Sequence, residues 1–243
     1  GMSVFYYSDW SWILLPGINL SYKLTEELAV TSSLEKSFSP PTYTNLYYSS
    51  PVNKGDPELQ PEEAWSLELG LKHNTDYTRA SVNLFLRDND NLIDYGWDSQ
   101  DSLYVAQNVN QFNMYGAEVS FSAHEKFLSK SRFLNNLSLS YTWLNGSRNV
   151  DYKSKYVFNY LQNNVSLIFG HALPGPIVSM WNLNYKDRIN SSPYTLVDWN
   201  VVCKIDNFRI NLSIENIFDT DYKELGYLSM PGRWVKAGLG WSI

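Results

Sequence analysis

Apolar and polar residues alternate with a period of two along most of the chain. Residues 64–72 set Trp65, Leu67, Leu69 and Leu71 against Ser66, Glu68, Gly70 and Lys72. Residues 137–143 set Leu137, Leu139, Tyr141 and Trp143 against Ser138, Ser140 and Thr142. Residues 208–215 set Phe208, Ile210, Leu212 and Ile214 against Arg209, Asn211, Ser213 and Glu215. The last segment sets Val235, Ala237, Leu239, Trp241 and Ile243 against Lys236, Gly238, Gly240 and Ser242. Successive side chains of a strand point to opposite faces, so the pattern predicts strands with one greasy and one polar face. Helical periodicity is almost absent.

Eleven strands are predicted, over residues 11–24, 27–37, 63–72, 77–92, 104–123, 135–145, 157–171, 177–187, 194–205, 208–218 and 231–243. Several exceed the roughly 5–6 residues usual in soluble sheets. Thr25-Glu26, His73 to Asp76, Leu173 to Pro176 and Asp206-Asn207 read as tight turns. Between them fall longer links at 38–62, 93–103, 146–156, 188–193 and 219–230, and only the 124–134 link departs from the alternation. Short turns on one rim and long loops on the other are what a bilayer imposes on an up-and-down barrel. The predicted fold class is therefore all-β: a portion of an antiparallel outer-membrane-type barrel. Its apolar face would meet outer-membrane lipid, its other face a wet lumen.

Composition narrows the alternatives. The chain has 243 residues, of which 44% are hydrophobic and 16% aromatic, too many for a disordered chain. Tyrosines and tryptophans at strand ends would hold their polar tips at the headgroup level. A net charge of −6 with scattered Lys and Arg excludes a nucleic-acid footprint, which needs clustered cations. Cys203 is the lone cysteine, so neither an internal disulfide nor a cysteine-based zinc site can form. No apolar run approaches the ~20 residues of a membrane-spanning helix. Gly1-Met2-Ser3 leads into aromatics without the basic region of a secretory signal.

Catalytic and metal chemistry finds little support. His73, His124 and His171 are far apart and near turns, where solvated rim residues are the plain reading. No G-x-S-x-G elbow accompanies Ser166 and His171. Asp88, Asp90, Asp94, Asp98 and Asp101 crowd the link after the fourth predicted strand, yet lack the glycine and closing glutamate of a calcium loop. That link reads as a solvated acidic loop. No cofactor is expected. Binding is better served by Tyr43, Tyr47 and Tyr48 in the proline-stiffened 38–62 link, and by Asp94 and Trp97 in the next one. An interface belt is an equal reading of the three tyrosines.

Several segments in order resemble a known family. Gly55-Asp56-Pro57-Glu58-Leu59-Gln60-Pro61-Glu62 is similar to a G-N-P-x-L-x-P-E link, followed by Ser66-Leu67-Glu68-Leu69-Gly70 in place of S-x-E-x-G. Asn108 with Gly116-Ala117-Glu118 resembles an N…G-x-E strand. Asn216-Ile217-Phe218-Asp219 with Tyr222 resembles N-L-F-D-x-x-Y, and Pro231-Gly232-Arg233 the P-G-R that leads into a closing strand. Together they resemble the C-terminal half of the β-barrel of a TonB-dependent outer-membrane receptor, of siderophore-receptor type. The chain ends in Ile243, where such barrels usually end in Phe or Trp.

The resemblance implies a non-catalytic receptor in the cell outer membrane, importing an iron-siderophore, cobalamin or similar nutrient chelate. Its barrel would have about 22 strands around a plug, so the eleven here would need the N-terminal barrel half and the plug as partners, and would reach TonB only through that plug. The isolated chain is then not expected to transport. Glu68 and Arg233 would face the lumen. Open edges near residues 11–24 and 231–243 predict pairing, either of first strand with last in a smaller barrel or with a second copy. Two other readings stay open: a stand-alone pore or adhesin barrel of about twelve strands, and a soluble β-sandwich binding module.

Overall fold

The computed structural model describes residues 1–124, 128, 134–146, 154–155, 160–224 and 228–241, apart from the Asn110 side chain. Among them are thirteen strands. These are β1 (Met2–Tyr7), β2 (Ser11–Lys23), β3 (Leu28–Ser39), β4 (Asn53–Lys54), β5 (Glu62–Asn74), β6 (Thr78–Asp98) and β7 (Leu103–His124). β8 (Leu134–Gly146), β9 (Leu161–Leu173), β10 (Ile177–Arg188), β11 (Tyr194–Ile205), β12 (Phe208–Glu215) and β13 (Trp234–Trp241) complete the set. One helix, α1 (Tyr43–Tyr47), lies between β3 and β4. Apart from β4, every strand pairs with its chain neighbours in one antiparallel path from β1 to β13. The path is not closed: β1 and β13 are its two ends among the described residues.

The chain divides into two compact units. The first holds residues 1–71, 83–117 and 144–160; the second holds 72–82, 118–143 and 161–243. In the first, β1 and β2 form a hairpin in register from Met2↔Pro16 to Tyr7↔Ser11. Five of its buried apolar side chains gather in two small clusters. Leu59, Tyr95 and Ala106 pack with Leu46, Ile93 and Tyr104, and Val109 and Phe112 pack with Leu92, Met114 and Tyr160. The second unit is a meander. Phe169 pairs with Trp181, Trp181 with Trp199, Trp199 with Ile214, and Ile214 with Val235.

That register carries the alternation across strands. Ile210, Leu212 and Ile214 lie opposite Leu239, Ala237 and Val235 on one face, while Asn211 and Ser213 lie opposite Gly238 and Lys236 on the other. In the first unit Ile18, Leu20 and Tyr22 share a face with Leu34 and Val30, and Asn19 and Ser21 share the reverse face with Ser33 and Thr31. The apolar faces are uncovered: Ile18 is 60% exposed and Leu239 74%. Nine hydrophobic side chains are buried among the described residues, against more than forty large ones exposed. A sandwich module would bury those faces against each other. Here they need an apolar solvent, and in lipid a backbone is tolerated only when its polar groups pair within the sheet.

Small side chains on the polar face make room for amides. A Cβ on Gly238 would lie 2.5 Å from Asn211 Oδ1, and one on Gly70 would collide with Thr31 Oγ1 and with Asn83 Oδ1. Tight turns join strand pairs at one end. Thr25 Oγ1 accepts from the Glu27 and Leu28 amides, and Thr75 Oγ1 from those of Tyr77 and Thr78. Gly175 sits at φ 82°, where a side chain would be strained.

The strand expectations differ from the structure in three places. The 93–103 link is largely sheet: β6 runs on to Asp98 and β7 starts at Leu103. Asp94 is consequently not on a solvated loop but is 1% exposed within β6. Residues 2–7, read as lying outside the sheet, form β1, so the edge is β1 rather than the strand at 11–24. β12 ends at Glu215, sooner than expected, because Asn216 and Asp219 turn the chain through the left-handed region, and β13 begins later than expected, at Trp234. Residues 157–159, given to a strand, and most of the 124–134 and 146–156 links lie outside the described residues, as does Ile243.

Candidate functional site

The long connections hold the chemistry. In the first unit the 40–61 segment is a folded element rather than a slack loop. Thr42 caps α1 by accepting from the Asn45 amide at 3.2 Å, which fixes where the helix starts. β4 then pairs in parallel with β7 through Asn53↔Tyr104 and Lys54↔Val105. Gly55 sits where a Cβ would be 2.7 Å from the Asn45 carbonyl, so a close backbone approach explains the glycine. Leu59 is the segment's anchor in the Tyr95–Ala106 cluster.

Asn108 clamps the same segment. Its Oδ1 accepts from the Gln60 amide at 2.8 Å, and its Nδ2 donates to the Gln60 carbonyl at 2.9 Å and the Asn91 carbonyl at 2.7 Å. Glu62 Oε1 accepts from the Ile93 amide at 2.7 Å. Pro57 and Pro61 flank the anchored stretch, and Pro61 is buried. The quoted motif residues are therefore a clamp: proline fixes the link, leucine anchors it, and asparagine satisfies its backbone.

Above this clamp lies an aromatic surface. Tyr43 (84% exposed), Tyr47 and Tyr48 present their rings outward, with Tyr43 and Tyr47 5.6 Å apart. Trp97 meets Tyr104 edge-on at 5.0 Å. Lys155 donates to Asn53 Oδ1 at 2.7 Å and lies over the rings of Tyr104 and Tyr95, at 5.3 and 5.9 Å. Lys155, Asn53, Tyr95 and Tyr104 are absent from the sequence-derived candidates. Asn53 and Lys155 are too far apart in sequence for spacing to signal their contact.

In the second unit the turn after β12 is built by the other motif. Asn216 is buried, accepts from the Thr220 amide at 2.9 Å and donates to the Thr220 carbonyl at 2.9 Å. Its own amide donates to Asp198 Oδ1 at 2.9 Å. Asp219 Oδ1 accepts from the Arg233 amide at 2.7 Å, and Gly232 beside it has no room for a Cβ. Asn216, Asp219, Gly232 and Arg233 thus tie both ends of the β12–β13 connection together. Phe218 is exposed, whereas Tyr222 packs on Tyr194 at 5.0 Å. Glu68 and Glu118 are exposed, and Gly116 is buried.

Next to this turn lies a cleft of about 640 Å³, lined by Ser191, Pro193, Tyr194, Asp221, Tyr222 and Met230 among others. From β10, Lys186 Nζ approaches Glu224 Oε1 at 2.6 Å and Arg188 Nη2 approaches Glu224 Oε2 at 3.6 Å. Tyr194 Oη is buried and close enough to interact with the Glu224 carboxylate, though outside ideal hydrogen-bond geometry. Burial opposes ionisation of Glu224. The contacts to Lys186 and Tyr194 and the charge of Arg188 outweigh it and hold its pKa below the ordinary 4.5. Burial, and then the nearby carboxylates of Glu224, Asp198 and Glu215, push the Tyr222 hydroxyl the other way, upward. The i, i+2 spacing of Lys186 and Arg188 on a strand was the available signal for this pair. No group of three His, Cys, Asp or Glu side chains suited to a metal occurs among the described residues. No helix among them is long and apolar enough to cross a membrane.

A greasy-faced antiparallel sheet with tight turns and, at 40–61, a folded aromatic connection has the features of an outer-membrane-type barrel wall. Residues 2–217 match the family model described as "TonB dependent receptor-like, beta-barrel", and the chain belongs to that family. It is 25% identical over 220 residues to the vitamin B12 transporter BtuB of Photobacterium profundum, covering 83% of this chain and 33% of that protein. A mutant of the ferric enterobactin receptor PfeA from Pseudomonas aeruginosa, solved with enterobactin, superposes with a TM-score of 0.75 at 16% identity, over 99% of this chain and 42% of the other. The siderophore receptor PirA from Pseudomonas aeruginosa gives a TM-score of 0.69 at 20% identity, over 99% and 42%. The structural likenesses show the fold. The chain spans 33% of its curated relative and 42% of these two solved chains. These relatives are transporters and receptors by name, not enzymes.

Proposed function

We propose that the chain forms the C-terminal part of the barrel of an outer-membrane receptor that imports a bulky nutrient, an iron-siderophore, cobalamin or similar chelate, with energy relayed through TonB. The observation that carries this reading is the uncovered apolar face, seen on strands of both units such as β2, β5, β12 and β13, on a chain of this family. The tight turns then lie on the periplasmic side and the long connections outside. The relatives named above for vitamin B12, enterobactin and siderophores support the nutrient class. The N-terminal barrel strands and the plug would come from the rest of the receptor, so residues 1–243 alone would insert without transporting.

On this reading Tyr43, Tyr47, Tyr48 and Trp97 form the outer binding surface, since rigid aromatic rings give large contact area at low entropic cost. The test is growth of a strain lacking its own receptors, carrying the full receptor gene and offered single iron chelates or cobalamin. Growth on at least one of them, lost when TonB is deleted, is expected. Uptake that persists without TonB would identify a diffusion pore and overturn the proposal, as would failure on every nutrient despite correct insertion.

A further inference from the structure

On the apolar face of the second unit, a polar patch stands at the end of β8, β9 and β10 nearest the long connections. Tyr141, Val165 and Tyr185 form one cross-strand row, and Trp143, Asn163 and Asp187 the next. The two rows beneath are wholly apolar: Leu139, Leu167 and Leu183, then Leu137, Phe169 and Trp181. Tyr141 Oη donates to Asn163 Oδ1 at 2.8 Å, and Asn163 Nδ2 donates to Asp187 Oδ2 at 3.0 Å. The donors therefore all point one way, and the polarised chain ends on a carboxylate. Asp187 Oδ1 accepts from no described residue, and Asp187 has no ion pair among them. Tyr141 and Tyr185 are exposed, and Asn163 and Asp187 are half-buried. Neighbouring strands lie ~4.8 Å apart and alternate residues ~6.7 Å apart, so the patch measures roughly 10 by 7 Å.

What covers this patch follows from its continuity with the stripe below. On the receptor reading the apolar rows meet acyl chains, so the layer above them meets the headgroups of the same lipids. A fitting headgroup donates hydrogen bonds, because the polar chain ends in a spare acceptor. It also keeps phosphate away from Asp187, since like charges repel strongly where little water screens them. The ammonium of phosphatidylethanolamine donates, but brings its own phosphate alongside. A sugar donates through neutral hydroxyls, and its C–H face packs on exposed rings such as Tyr141 and Tyr185. We infer that Tyr141, Asn163, Asp187 and Tyr185 form a site for the sugar headgroup of a glycolipid, on the lipid-facing side of the wall. The site depends on the receptor reading for its membrane setting and is independent of import.

The test uses the full receptor in phosphatidylcholine bilayers, in a Cys203→Ser background with no other cysteine. A bimane fluorophore is attached at Leu183→Cys, just below the patch on β10, or at Leu20→Cys on the first unit's apolar face as a control. Quenching is titrated with chain-brominated digalactosyl diacylglycerol, phosphatidylglycerol or phosphatidylethanolamine. At Leu183→Cys the glycolipid is expected to bind roughly fivefold tighter than either phospholipid, about the worth of one added hydrogen bond. Leu20→Cys should report no preference. Asn163→Leu together with Asp187→Leu puts lipid-compatible side chains in the polar row, and should bring the affinities at Leu183→Cys to parity while the wall stays folded. Equal affinities in the otherwise unaltered receptor, or a preference for either phospholipid, would overturn the site. So would a preference seen at both label positions, or one that survives in the double variant. Uptake is not read: a receptor that fails to import but shows the preference keeps the site, and one that imports without it loses the site alone.

Discussion

The two long connections are held shut by different physics. The 40–61 segment buries Leu59 against Tyr95 and Ala106 and spends the amide of Asn108 on its backbone. The 216–233 segment buries no comparable apolar anchor among its described residues; amide and carboxylate turns hold its ends, and the Glu224 ion pairs hold its middle. Apolar burial is indifferent to acid and salt, whereas partly exposed ion pairs are screened and titrate. The first connection is therefore a fixed platform for its outward tyrosines, and the second is held by contacts that salt and acid weaken.

Three changes would break or sharpen that contrast. Leu59→Ala removes the anchor of the platform and should cost about 2–5 kcal/mol of local stability, read as proteolytic cleavage within 40–61 while the β12–β13 connection stays resistant. Asn108→Ala leaves the Gln60 amide and two carbonyls without their side-chain partner and should cost about 1–3 kcal/mol, visible as faster amide exchange at Gln60. If exchange there is unaltered, the clamp is not what holds the link. The smallest effect is expected at Glu224. Its pKa is lowered on folding, so its contribution is full above the ordinary value of 4.5 and is lost as pH falls through the lower folded value. Acidification below about pH 4.5 should loosen 216–233 before 40–61, and Glu224→Gln should erase that pH dependence. Simultaneous loosening of both would contradict the division.

What could be read in the letters followed from how far each signal reaches. Strands such as β5, β8 and β12 announce themselves because one residue in two must face a different solvent. β1 escaped because Met2 to Tyr7 is nearly all apolar and shows no alternation. The far half of β6 escaped because Asp94, Gly96 and Asp98 look like loop residues, although Asp94 and Tyr95 are buried there. The Pro-Pro-Thr before α1 carried a capping signal in Thr42, but a five-residue helix is too short to show a period. Motif residues were visible by resemblance, and their work as clamps was not, since Asn108 and Gln60 meet only in the fold. Lys186 lay on a predicted strand and Arg188 at the start of the link after it, but their partner Glu224 comes from an irregular segment whose path no local pattern dictates.

The central claim is that alternate residues of each strand face hydrocarbon and water. β12 tests it directly, because it is paired on both sides by β11 and β13. Single cysteines are placed at positions 208 to 214 in a Cys203→Ser background, spin-labelled, and the protein is reconstituted into bilayers. Collision with oxygen, which concentrates in lipid, is compared with collision with a water-soluble nickel chelate. The account predicts a period of two: oxygen dominates at Phe208, Ile210, Leu212 and Ile214, and nickel at Arg209, Asn211 and Ser213. Equal access of nickel to both sets, or shielding of the apolar set from both reagents as in a dry protein core, would contradict it.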